Sequence, residues 1–79
     1  MGTNKAKPLP GGMVVLTRIP PGLSNGLPRE DQRAIADIIG KPVLLSEYDD
    51  TGRAELEFAD KEGIIHDIYV VVADIRRAG

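Results

Sequence analysis

The sequence predicts a mainly β domain with one short helix, folded as a small antiparallel barrel of about five strands with the helix inserted between strands 1 and 2. Three observations carry this. The chain has 79 residues and no cysteine, so one apolar core must hold one domain without disulfides. The stretch from Pro42 to Val72, PVLLSEYDDTGRAELEFADKEGIIHDIYVVV, is cut by two turn signals into three candidate strands. Only one segment has helical spacing, with Ala34, Ile35, Ile38 and Ile39 as its apolar stripe. Short antiparallel strands leave costly edges, and curling into a barrel is the expected way to remove them.

Residues 1–12 combine Gly, Pro, Lys and Asn and read as a disordered tail ahead of a single domain over 13–79. Met13 to Ile19 is the first strand, rich in β-branched residues and stopped by Pro20-Pro21-Gly22. The loop PPGLSNGL follows, with Leu23 and Leu27 expected to pin it to the core. Pro28 suits the first position of the helix, and Glu30 and Asp31 meet the positive end of its dipole. Gly40 is placed for a left-handed C-terminal cap and Pro42 prevents continuation. A helix of about 12 residues is too short to be stable alone and must lie on the sheet.

Val43 to Tyr48 forms the second strand, and Asp49-Asp50-Thr51-Gly52 turns it back. Arg53 to Phe58 alternates, with Ala54, Leu56 and Phe58 inward and Arg53, Glu55 and Glu57 in water. After the turn Ala59-Asp60-Lys61-Glu62-Gly63, Ile64 to Val72 is the longest β-branched run. Its period of two groups Ile64, His66, Ile68, Val70 and Val72 on one face and Ile65, Asp67, Tyr69 and Val71 on the other. In ADIRRAG, a helical turn and a short last strand would turn Ile75 in and Arg76 and Arg77 out.

PVLLSEYDDTGRAELEF followed by HDIYVVVADIRR resembles the SH3-like small barrels over residues 13–77. A strand ends in an acidic turn with Gly, and a later strand carries an aromatic before a valine pair and a short helical turn. The resemblance implies a helical turn at Ala73-Asp74-Ile75 between the last two strands. It is similar at that level to small uncharacterised bacterial proteins, a likeness that implies no activity. The proline-peptide groove of signalling SH3 domains is not implied, because this chain has no Trp and only Phe58, Tyr48 and Tyr69 as aromatics.

No catalytic, cofactor or metal site is expected. His66 is the only histidine, and Asp67 beside it points to the opposite strand face. The reading is a histidine bonded to a turn or to Glu57, with a pH-sensitive contact as the alternative. Asp49, Asp50 and Asp60 read as turn formers, since DDTGRAELE lacks EF-hand spacing. Ser24 and Ser46 are unconnected hydroxyls. The loop around Gly22 and Gly26 lacks the Lys and Ser or Thr of a phosphate loop.

The expected function is a non-catalytic module that binds an unidentified protein partner. Tyr48, Tyr69, Arg53 and His66 are its candidate contact residues. The alternative is a nucleic-acid-binding barrel using Arg18, Arg29, Arg33, Arg76 and Arg77. A net charge of −2, with acids gathered between Glu47 and Glu62, argues against that. No apolar run reaches the roughly 20 residues of a membrane span, which leads to the expectation of a cytoplasmic protein. Pairing of the last long strand with a second copy, as a homodimer, is one way to cover its β-branched residues.

Overall fold

The computed structural model describes residues 7–23 and 25–78. Residues 1–6 of the tail expected over residues 1–12, the hydroxyl of Ser24 and residue Gly79 lie outside the described residues. Seven elements follow in order: β1 (Met13–Leu16), α1 (Arg29–Ile38), β2 (Pro42–Tyr48), β3 (Ala54–Ala59), β4 (Ile65–Val70), a 3₁₀ turn (Val72–Asp74) and β5 (Ile75–Arg77). All strand pairs are antiparallel, and they form one five-stranded sheet in the order β4-β3-β2-β1-β5.

That order has two ends, and the expected barrel is corrected by it. β4 and β5 are the outermost strands and share no ladder, so the sheet is not closed. The chain is therefore not an SH3-like barrel, and the likeness to small bacterial proteins of that kind falls with it. The mainly β composition and the helix between β1 and β2 stand.

The reason lies in the last strand. β5 has only three residues and all of them pair with β1: Leu16 with Ile75, Val15 with Arg76, Val14 with Arg77. The carbonyl of Asp74 accepts from both the N–H and the hydroxyl of Thr17, which fixes β5 to β1 before it starts. A flat sheet of this width would hold its outer strands about 19 Å apart. The 3₁₀ turn cannot span that at about 2 Å per residue, so the sheet is strongly coiled, yet open.

The concave face holds the core. Val14, Leu16, Val43, Leu45, Ala54, Leu56, Phe58, Ile68, Val70 and Ile75 are buried there against Ala34, Ile35 and Ile38 of α1. Leu23 and Leu27 pack on the margin, as the loop composition led one to expect. α1 starts after Pro28 with Glu30 and Asp31 in its first turn. It ends before Gly40, whose φ of 82° is left-handed and whose N–H donates to the carbonyl of Leu16.

β2 carries a bulge. Leu45 faces Leu56, but Glu47 faces Glu55 and Tyr48 faces Ala54, leaving Ser46 as the extra residue. Simple alternation would put Tyr48 on the face of Leu44. The bulge moves it to the concave face with Val43 and Leu45. Residues 7–12 run alongside: Gly11 N–H donates to Leu45 O, Leu45 N–H to Gly12 O, and the Tyr48 hydroxyl to Pro8 O at 2.6 Å.

Candidate functional site

β4 forms one margin of the sheet, and its hydrogen-bond phase defines what that margin offers. Asp60 N–H bonds to Ile64 O, so positions 64, 66, 68 and 70 direct their backbone groups toward β3. Ile65, Asp67 and Tyr69 then direct theirs outward to an unpaired edge, and Val71, still extended at φ −74° and ψ 150°, follows them with its carbonyl already accepting from the Asp74 N–H. These positions also carry exposed side chains on the convex face. Ile65 is 57% exposed, Val71 50% and Tyr69 42%, with Ile64 at 57% in the preceding turn.

A groove of about 320 Å³ runs between this strand and the start of α1, lined by Leu27, Asp31, Ile35 and the segment from Ile64 to Ile68. His66 stands in its wall. Its Nε2 lies 2.8 Å from Asp60 Oδ2, its Nδ1 3.5 Å from Asp31 Oδ1, and its ring stacks on Phe58 at 5.4 Å. Of the two partners considered from sequence, the turn supplies one and Glu57 does not. Glu57 faces Asp67 on the convex side, while His66 faces Phe58. Asp60 also accepts the N–H groups of Glu62 and Ile64. Hydrogen bonding by His66 and by the Ile64 N–H outweighs partial burial and, with the Glu62 N–H, holds its pKa below the usual carboxylate value. Asp60 thereby ties the β3–β4 turn to the first residues of the exposed edge.

The four candidate contact residues are distributed over both faces. Tyr48 lies on the concave side with Lys7 Nζ 4.3 Å from its ring centroid. Burial raises its pKa against the opposing charge of Arg77. Tyr69 lies on the convex side under the guanidinium of Arg53, 5.4 Å from its centroid. Arg53 is itself held by Asp49 at 2.9 Å. Tyr69 sits opposite Glu55, which sits opposite Glu47, and Glu57 sits opposite Asp67. The Glu55 charge, then burial, then Glu47, Asp67 and Asp49 raise the Tyr69 pKa. Burial and then the charges of Asp67, Glu47 and Glu57 raise that of Glu55 against its bond from Tyr69. The convex face is thus acidic, with one aromatic at its centre.

Two features escaped sequence reasoning. Asp74 is buried, and its Oδ1 accepts from Arg18 Nε at 2.7 Å across 56 positions. The only local signal was an acid between apolar Ala73 and Ile75. Asp31 beside His66 was also unreadable, because it comes from the helix.

Among the described residues no group of three or more His, Cys, Asp or Glu side chains is placed to hold a metal ion, and no helix is long and apolar enough to cross a membrane. Compared with protein-family models, curated proteins and solved structures, the chain matches none.

Proposed function

We propose that the protein is a non-catalytic binding module that engages a protein partner by strand addition to β4. One observation carries this reading: the open edge of β4 coincides with the row of exposed apolar and aromatic side chains Ile65, Tyr69 and Val71. Backbone groups at such an edge supply affinity, and alternate side chains supply choice of partner. The groove beside the strand, floored by Ile35 and Ile68, gives inward side chains of an added strand somewhere to go.

Selection of displayed random peptides on the protein, held at nanomolar concentration, tests the reading. The selected peptides should be rich in β-branched residues, and they should lose binding to Ile65→Lys, which changes only an exposed side chain. Peptides that bind that variant as well as they bind the parent would overturn it.

A further inference from the structure

We infer that the strand added to β4 is the β4 strand of a second copy of this chain, paired antiparallel about a two-fold axis through Ile68. The inference rests on the reading of β4 as the contact edge and commits it to one occupant.

The hydrogen-bond phase restricts the pairing sharply. Only residues whose backbone groups point outward can bond across the new ladder, so Ile65, Asp67 and Tyr69 are its pairing positions, with Val71, whose carbonyl already accepts from Asp74, at the end of the row. Symmetric pairings then differ in which residue stands on the axis. Asp67 on the axis would set two carboxylates directly opposite, which is unfavourable. Tyr69 on the axis would set Asp67 against Val71 and leave Ile65 opposite Ala73, inside the 3₁₀ turn and beyond the strand. Ile68 on the axis sets Ile65 against Val71 and Asp67 against Tyr69, and it brings the two Ile68 side chains together on the concave face. This register alone covers both exposed aliphatic residues of the edge.

The opposite edge does not compete. β5 is three residues long and presents Arg76 and Arg77, both exposed, a combination that discourages pairing. Open-ended growth from β4 of one copy to β5 of the next would leave Ile65 facing that short strand. The isologous pair closes after two copies.

Pairing also brings together the acids of both convex faces, Glu55, Glu57 and Asp67 from each copy, so added salt should tighten the association rather than loosen it.

Sedimentation over a concentration series is the test, run on the full chain. The expected result is a monomer–dimer equilibrium that strengthens with salt, and a weakening of at least about tenfold in Ile65→Lys. The chain has no cysteine, so Ile68→Cys reports the register. On the axis the two Cα atoms would stand about 4.5 Å apart, within disulfide reach, and oxidation should give a covalent dimer. Asp67→Cys should give far less. If Ile68→Cys fails to fold, the exposed-site variant Val71→Lys takes its place and should also dissociate the pair.

A monomer at every concentration overturns self-pairing. So does a dimer indifferent to Ile65→Lys, or a series of species larger than two. Each leaves the strand-addition reading standing if displayed peptides still bind the parent and not Ile65→Lys. If the peptides also fail to discriminate, both readings fall.

Discussion

The two edges of this sheet are built in opposite ways. β5 is short and bears Arg76 and Arg77 on a strand locked in place from behind. Ile75 is buried opposite Leu16, and Asp74 is bound through its carbonyl to Thr17 and through its carboxylate to Arg18. β4 is twice as long, with six residues to three, and has one charged residue, Asp67. Its inward Ile68 and Val70 are as well buried, but its outward residues other than Asp67 are aliphatic and aromatic. One edge is sealed by anchoring and charge, and the other is left able to pair. A protein gains nothing in its own stability from an apolar row left in water, and the proposed contact at β4 rests on that contrast.

The contrast breaks most visibly at Ile75. Truncation to Ala should cost about 3 kcal/mol in urea unfolding, because it empties core volume and loosens β5 together. The ion pair behind it should give an asymmetric result. Asp74 has a side chain 4% exposed and Arg18 one 64% exposed, so removing Arg18 strands a buried carboxylate whose other oxygen already has no hydrogen-bond partner. Arg18→Ala should therefore cost about 2 kcal/mol, discounted for the exposure of the guanidinium, and Asp74→Asn should cost less. Equal losses in chemical denaturation would contradict the account of the sealed edge.

Between the edges, Tyr48→Phe removes the bond to Pro8 O and should cost about 1 kcal/mol by thermal unfolding. On the open side, acid should act through Asp60. Its folded pKa is depressed, so its contribution is present above the ordinary carboxylate value of about 3.9 and is lost as pH falls through the folded value. Melting curves across that acid limb should be flatter in Asp60→Asn than in the parent. The smallest effect sharpens the comparison best. Ile65→Ala should change monomer stability by no more than about 0.5 kcal/mol, read under conditions where the protein is monomeric, while Ile75→Ala in the other edge unfolds it readily.

Much of this arrangement is legible in local pattern. GRAELEF alternates, and its Ala54, Leu56 and Phe58 are buried as the period of two requires. PREDQRAIADIIG states its own helix, down to the left-handed Gly40. IHDIYV sorts Ile68 and Val70 inward and Tyr69 outward. Barrel closure could not be read, since it depends on whether β4 and β5 meet, and their separation is set by how β5 docks on β1. The bulge at Ser46 was hidden because a one-residue slip leaves no mark in PVLLSEY, yet it decides which face Tyr48 occupies. The partners of His66 divide along the same line. Asp60 is six positions away, within reach of a turn argument, whereas Asp31 arrives only when α1 crosses the sheet.

One last contact has a wider reach. Ala78 N–H donates to Met13 O, so the first strand begins where the last one ends, at a single corner of the sheet. Such a fold can be carried as a cassette within a longer polypeptide without stretching the host's backbone. A fluorescent or affinity fusion attached at that corner would lie across the sheet from β4 and leave the β4 edge clear.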